Sequence, residues 1–210
     1  MTPVLAGPGR SDVNGLSKTR QRICAAALRC FALHGPEGSS MRMVAEAAGV
    51  SIGLVQHHFG TKSALIAAVD DELVAVIEQA APLPQPAPDP VADTSRRISV
   101  LIAEHPDAVG YLSRLLIDDK PTGRRIFDML FGIGQSHWDY FRHHSSGSAR
   151  ADPTWEALNP LIMVLGTLIL RRHIERQLCE PLESPKQLRT WETAVGHLIA
   201  GGRRRRQPSA

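Results

Sequence analysis

Apolar residues between Lys18 and His34 recur with the spacing of one face of an α-helix. The apolar positions are Ile23, Ala26, Ala27, Cys30 and Phe31. They fall at i, i+3, i+4, i+7 and i+8, which is the period of an amphipathic helix. The Gly-Pro pair at 35–36 follows, and this pair stops a helix. The pattern therefore predicts a first helix that ends near His34.

Three further helical patterns follow, and each begins after a hydroxyl residue that can cap a helix. Ser40 precedes a short segment over 41–48 that ends at Gly49, and Ser51 precedes a segment that ends at Phe59. Thr61 precedes a longer segment with its own apolar stripe. The stripe consists of Leu65, Val69, Leu73, Val76 and Ala80. Four helices are thus predicted in about the first 80 residues.

The second part of the chain also reads as helical throughout. Prolines at every second position from Pro82 to Pro90 predict either an extended polyproline connector or an ordinary long loop. Helices are then predicted over 94–104, 107–118, 122–143, 153–179 and 185–200. The last two begin with a capping residue followed by proline. No segment alternates with period two, so the predicted fold class is all-α.

Composition excludes several classes of protein. Hydrophobic residues make up 43% and charged residues 21% of the 210-residue chain, which is typical of a folded globular protein. The uncharged stretch over 157–170 is too short for a bilayer, and the N-terminus has no apolar segment of signal-peptide length. Three cysteines without Cys-x-x-Cys spacing favour reduced thiols. We therefore expect a cytoplasmic protein without a membrane span.

Charge is distributed unevenly along the chain. Residues 1–69 carry seven Lys or Arg and three Asp or Glu, whereas residues 70–199 carry thirteen and eighteen. Four arginines follow at 203–206. Two basic ends around an acidic middle suggest that one end contacts a nucleic acid or a membrane surface.

The segment from Met41 to Gly60 has the spacing of a helix-turn-helix. Ala45 is small where two helices would cross, and Gly49 follows four residues later where the turn needs a positive φ angle. Val50 and Val55 supply apolar contacts between the helices. An ordinary pair of helices with a glycine turn is the alternative, and the surrounding residues make it less favoured.

The second helix of this pair exposes polar and small residues with few acids. These candidate DNA-binding residues are Ser51, Ile52, Gly53, Leu54, Gln56, His57 and His58. Lys62 stands at the start of the next helix, and a lysine at a helix N-terminus is a good phosphate site. With Val55 and Phe59 turned to the core, Gln56 and His57 are expected to face the major groove, where a glutamine can recognise adenine.

The stretch from Thr19 to Leu65 resembles the DNA-binding domain of the tetracycline-repressor (TetR) family. The segments that carry the resemblance are Ser40-Met41-Arg42-Met43-Val44-Ala45-Glu46-Ala47-Ala48-Gly49-Val50-Ser51 and His57-His58-Phe59-Gly60-Thr61-Lys62-Ser63-Ala64-Leu65. The resemblance implies a homodimeric transcriptional regulator, usually a repressor, that binds a pseudo-palindromic double-stranded DNA operator. It implies a DNA-binding domain over 17–64 and a helical effector-binding and dimerisation domain over 65–202.

Site residues carry over from the family position by position. Ser40 and Lys62 match phosphate contacts of the family. Leu54, Gln56 and His57 stand where the family commonly has Thr and Tyr-Tyr, so this chain departs at positions that usually touch DNA. The resemblance therefore implies DNA binding with an operator sequence of its own.

The family mechanism places a small-molecule effector between the helices of residues 94–179. An aromatic-rich segment there is the candidate wall, because apolar cavities with few polar groups are typical ligand sites, although plain core packing is the alternative. The candidate ligand-binding residues are Tyr111, Phe127, Phe131, Trp138 and His105. We expect a mainly apolar effector that releases the protein from DNA, and the acidic balance of residues 70–199 leaves a cationic ligand as a secondary alternative.

Two apolar stripes in the last helices predict the dimer interface. The first stripe is Leu158, Ile162, Leu165 and Ile169, and the second is Trp191, Ala194, Val195 and Leu198. A two-fold axis would join two stripes from each chain into a four-helix interface. The alternative is that both stripes pack within one chain.

The sequence motifs give little support to an enzymatic or metal-binding function. The chain lacks a nucleophile elbow, a phosphate-binding loop and a dinucleotide fingerprint. The pairs His57-His58 and His143-His144 have no acid or third ligand at metal-site spacing. No catalytic residue, metal or cofactor is therefore predicted. An all-α enzyme or interaction protein that uses the helix-turn-helix as a scaffold is the second hypothesis.

Overall fold

A computed structural model of the chain describes residues 10–81, 90–144 and 152–204, with side chains described for 17–81, 95–136 and 152–198. Every regular element in these ranges is a helix, which confirms the all-α prediction. The helices are α1 (Arg10–Gly38), α2 (Met41–Ala48), α3 (Ile52–Phe59), α4 (Lys62–Ala80), α5 (Pro90–Glu104), α6 (Pro106–Ile117), α7 (Pro121–His144), α8 (Pro153–Ile169), α9 (Arg171–Glu175) and α10 (Pro185–Arg204). None of these described helices is long and apolar enough to span a membrane.

The chain divides into two compact units, Met1–Glu72 and Leu73–Ala210. The division falls inside α4. The sequence prediction places the domain boundary at 64/65, near the start of the same helix, and these limits stay a prediction. The proline-rich stretch over 82–89 lies outside the described residues, and Pro90 begins α5.

The first unit is built on the predicted face of α1. Ile23, Ala26, Ala27 and Phe31 are almost completely buried, and α1 packs against α2, which packs against α3. Gly35 interrupts α1 with a φ of 75°, so the regular helix ends where the Gly-Pro pair predicts. The Ser39 hydroxyl donates a hydrogen bond to the Gly35 carbonyl at 2.8 Å and closes this kink.

The second unit packs α5 against α10 and α6, and α7 against α8 and α6. Its core side chains include Ile102, Tyr111, Leu112 and Ile126, each nearly inaccessible to solvent. The crossing of α6 and α7 is tight, because a Cβ built on Gly123 would lie 2.5 Å from the Leu115 carbonyl oxygen. A glycine is therefore required at this point of contact.

The prediction of a single helix over 153–179 is wrong in its second half. The helix begins at Pro153 as predicted, with the Asp152 carboxylate accepting from the Thr154 amide at 2.8 Å, but α8 ends at Ile169 and α9 is a separate short helix. Arg171, the first residue of α9, is paired with the carboxylates of Glu175 and Glu183. The pair with Glu175 lies within α9 at i,i+4 spacing, whereas the pair with Glu183 connects α9 to the segment that precedes α10 and has no local sequence signal.

Candidate nucleic-acid interface

The first helix of the pair, α2, is fixed at both ends as the sequence predicts. The Ser40 hydroxyl oxygen accepts a hydrogen bond from the Met43 amide at 3.1 Å, which satisfies one free N–H of the first turn. Gly49 ends the helix in the left-handed region with a φ of 63°. Its amide and that of Val50 donate to carbonyls of the last turn of α2, so the turn is closed by main-chain hydrogen bonds.

The second helix, α3, is oriented by its two buried residues. Val55 and Phe59 lie in the core, and the Ser51 hydroxyl oxygen accepts from the Leu54 amide at 3.2 Å to cap the helix. Gln56 and His57 are exposed, as expected for positions adjacent to Val55 on a helix. The prediction that these two side chains turn away from the core is therefore confirmed.

The predicted DNA-binding residues differ in how far they reach solvent. The exposed ones are Ser40, Ser51, Ile52, Gly53, Gln56 and His57. Leu54, His58 and Lys62 are half-buried. The structure thus brings together on the capped helix pair a surface that offers hydroxyl, amide, imidazole and alkyl groups.

His58 occupies an unusual position within this surface. Its Nε2 atom is buried and has no hydrogen-bond partner in the described part of the chain. The ring lies edge-on to His57, with 5.6 Å between the ring centroids, and is tilted relative to Phe59 at 6.3 Å. His58 is therefore packed at the edge of the core, and it presents less of its ring to solvent than His57 does.

Lys62 joins the start of α4 to the end of α1. Its ammonium group donates a hydrogen bond to the Glu37 carbonyl at 3.1 Å, and the Thr61 hydroxyl oxygen caps α4 by accepting from the Ala64 amide at 3.1 Å. An ammonium group has three N–H bonds, so two remain for an anion. Sequence reasoning missed the bond to Glu37, because 25 positions separate the two residues.

Two arginines on this unit were not among the predicted contacts. The Arg42 side chain on α2 is 81% exposed, and its guanidinium lies 3.1 Å from the Glu46 carboxylate. The guanidinium carbon of Arg20 lies 5.2 Å from the centroid of the Phe59 ring, which places a cation at the end of α3. The i,i+4 spacing of Arg42 and Glu46 signals their pairing, whereas no local signal links Arg20 to Phe59.

The predicted ligand-binding residues are dispersed in the second unit. Phe127 lines a surface cavity of about 270 Å³ together with Leu115, Leu116, Asp119, Arg124 and Asp128. Tyr111 is completely buried in the core, Phe131 is half-buried, and His105 is exposed at the start of α6. Trp138 belongs to α7 but lies outside the residues whose side chains are described.

Another cavity of about 470 Å³ lies beside α9. It is lined by Arg171, Glu175, Leu178, Cys179, Glu180, Pro181 and Glu183. Its charged groups pair with one another or with Lys186, so the cavity is polar and largely self-neutralised. Within the ranges that the structure describes, no group of three His, Cys, Asp or Glu side chains is placed to hold a metal ion.

Capped helices, a left-handed glycine turn and an exposed second helix define the first unit as a helix-turn-helix domain. Residues 23–69 match the family model described as bacterial regulatory proteins, tetR family. The N-terminal domain of this chain belongs to that family.

The curated relative AcnR is similar to this chain over about a quarter of its length. The transcriptional repressor AcnR of Corynebacterium efficiens is 48% identical over 54 residues, which cover 26% of this chain and 29% of AcnR. The match therefore spans less than a third of this relative. AcnR is named as a transcriptional repressor and not as an enzyme.

Solved structures are similar to the chain over most of its length. A TetR transcriptional regulator from Chloroflexus aurantiacus has a TM-score of 0.65 at 18% identity, with 89% of this chain and 96% of that one covered. AibR, in complex with isovaleryl coenzyme A and operator DNA, has a TM-score of 0.63 at 16% identity, with 86% and 97% covered. The similarity in fold to these two structures thus extends beyond the residues that match the family model.

Proposed function

We propose that this protein is a DNA-binding transcriptional regulator, specifically a repressor that a small apolar ligand releases from its operator. The observation that carries the proposal is the helix pair α2–α3, which is capped at Ser40 and Ser51, closed at Gly49, and exposes Gln56 and His57 on its second helix. Helix pairs of this kind place the second helix in the major groove of DNA.

The contacts divide by chemistry into base recognition and phosphate binding. Gln56 can pair with the N6 and N7 atoms of adenine, and His57 lies beside it on the exposed face. Ser40 and Lys62 stand at helix N-termini, where hydroxyl and ammonium donors bind phosphate oxygens. Phosphate contacts position the protein, whereas base contacts determine the operator sequence.

A homodimer would present two recognition helices to two half-sites. Within a single chain Ile162 and Leu198 remain exposed, while Leu165 and Val195 are buried. The Trp191 indole N–H donates to the Thr167 hydroxyl at 3.3 Å, so α8 and α10 are adjacent. The exposed members of both stripes therefore lie on neighbouring helices and can pack against a second copy. We propose α8 and α10 as the four-helix interface.

The effector site is proposed in the second unit, with Phe127, Phe131, Trp138, Tyr111 and His105 as candidate contacts. A likeness in fold to AibR, whose structure contains isovaleryl coenzyme A and operator DNA, supports a ligand-responsive regulator. Tyr111 is fully buried, so ligand contact with it requires the helices around it to separate. A true effector must bind the free protein more tightly than the DNA-bound protein by the factor with which it weakens DNA binding.

The test of DNA binding uses the full chain and DNA recovered from a random pool at low salt. Binding is expected to weaken steeply as salt rises, and the double variant Gln56→Ala, Lys62→Ala should lose it. A matched variant, Gln79→Ala, Lys186→Ala, removes the same chemical groups from exposed positions outside the helix pair and should bind as the wild type does. No DNA binding at low salt would refute the proposal and favour a scaffold role in an enzyme or interaction protein.

A further inference from the structure

The first turn of α3 offers DNA almost no hydrogen-bonding side chain. The Ser51 hydroxyl oxygen accepts the capping hydrogen bond, so only its O–H remains to donate, while Gly53 has no side chain and Leu54 is half-buried. The remaining side chain is Ile52, which is 46% exposed. The residues that enter the groove first in a helix-turn-helix are those at this N-terminal turn. Apart from the Ser51 O–H, base recognition at this turn therefore depends on apolar contact.

We propose that Ile52 is a specificity-determining residue that recognises the 5-methyl group of thymine. This inference rests on the proposed function, because it requires α3 to lie in the major groove. Thymine carries the one apolar group that base pairs display in that groove, and aliphatic side chains discriminate it by contact. The exposed alkyl group of Ile52 can therefore make an apolar contact with thymine that the other bases do not offer.

Helical spacing places this contact next to the one proposed for Gln56. The two residues are four positions apart, so their side chains share one flank of α3. A helix rises about 5.4 Å per turn and DNA about 3.4 Å per base pair, so the two contacts fall within about two base pairs of each other. The preferred half-site should therefore contain a thymine beside the adenine that Gln56 recognises.

Gly53 lets the backbone of this turn approach the base edges. A Cβ built on Gly53 would meet no atom of the protein closer than the Ser51 hydroxyl oxygen at 3.9 Å. The protein itself therefore does not require a glycine here, since its φ is not among the positive values of the described glycines. Open space on the exposed side of α3 is instead available to DNA, next to the side chain of Ile52.

The experiment replaces each thymine of the selected operator half-site with deoxyuridine, one at a time, and measures the Kd of the full chain. Removing the contacted methyl group should weaken wild-type binding about fourfold per half-site, which is the value of one buried CH₂ group. Ile52→Ala should bind thymine and uracil operators equally. Ile52→Val keeps a branched alkyl group and should retain the preference for thymine.

The matched control is Val100→Ala, which truncates another branched residue with 46% exposure, located in the second unit. It should retain the full thymine preference. The inference is overturned if wild-type protein is indifferent to uracil at every position, or if Ile52→Ala keeps the wild-type preference. Absence of DNA binding by the wild type would overturn the proposed function and this inference together, so the two failures are distinguishable.

Discussion

Gly123 illustrates how one absent methyl group permits a helix crossing. Its position on α7 leaves no room for a Cβ against the backbone of Leu115, whereas Gly132 on the same helix has no atom within 4 Å of such a Cβ. Gly123→Ala should lower the free energy of unfolding by about 1–3 kcal/mol through overpacking. Gly132→Ala should raise it by about 0.5–1 kcal/mol, because alanine favours the helix. Denaturant unfolding measures the free energy of unfolding of both variants. A change of the same sign in the two variants would contradict this account.

The three cysteines should differ in reactivity. Burial, together with the Glu72 carboxylate, raises the pKa of the Cys24 thiol to about 11, and burial also raises the pKa of Cys30. Cys179 is exposed. At pH 8 a thiol reagent should therefore modify one cysteine quickly and the other two only upon unfolding. Cys179→Ser should abolish the fast reaction, and a second fast thiol in the wild type would show that the core is more open than described.

The same raised pKa of Cys24 has a consequence for stability at high pH. An unfolded thiol ionises near its ordinary pKa of 9.0, whereas the folded thiol remains protonated up to about 11. As the pH rises through this interval, the unfolded thiol loses its proton while the folded thiol keeps it. Ionisation then stabilises the unfolded state, so the free energy of unfolding decreases. Below pH 9 this thiol is neutral in both states and contributes no pH dependence.

At the scale of residues, the sequence predicts the direction in which a helical side chain points better than it predicts the distant residues that the side chain contacts. The outward direction of Gln56 and His57 follows from the apolar neighbours Val55 and Phe59, because helical geometry fixes each position relative to the others. The hydrogen bond from Lys62 to the Glu37 carbonyl does not follow from any local pattern, since it depends on how two distant segments meet.

Helix starts are the elements that local sequence determines most fully. The caps at Ser40, Ser51, Thr61 and Asp152 are all confirmed, because a cap needs only one side chain and an amide two or three positions later. The break between α8 and α9 was missed, since the run from Gly166 to Leu170 contains no stop signal. Ion pairs of Arg171 with Glu175 in the same helix and with the more distant Glu183 accompany that break.

The start of α4 carries a prediction about charge. Lys62→Ala should weaken binding to all DNA sequences alike and reduce the slope of log affinity against log salt by about one unit. Lys62→Arg keeps the positive charge and should keep the slope. Anisotropy titrations at several salt concentrations measure both variants, and a loss confined to certain DNA sequences would contradict a phosphate contact.

For the whole molecule, a measurement of the oligomeric state tests whether the exposed apolar residues of α8 and α10 form a dimer interface. Leu198 is 66% exposed in the single chain, so Leu198→Arg should dissociate a dimer without disturbing the core. Ile117, 62% exposed at the end of α6, is the matched control, and Ile117→Arg should remain dimeric. Leu165 is unsuitable for this test because it is buried within one chain. A monomeric wild type at micromolar concentration in light scattering would end the dimer proposal.

The fold class could be predicted because each helix has its own apolar stripe, whereas the cavities of the second unit could not be located in the same way. Tyr111 and Phe127 both occupy apolar helical positions, yet the first is sealed in the core and the second borders a surface cavity. Helical periodicity identifies the inner face of an element but not the gaps that remain after several helices pack. A cavity is a property of that assembled packing.

Selection of double-stranded DNA from a random pool at low salt tests the central claim most directly. The account predicts an inverted repeat whose half-sites are one helical turn or a multiple of it apart, because a two-fold dimer presents two α3 helices to successive major grooves. The Gln56→Ala variant should select the same repeat with one base pair of each half-site relaxed. Failure to enrich any sequence, or enrichment of a site without two-fold symmetry, would contradict the account.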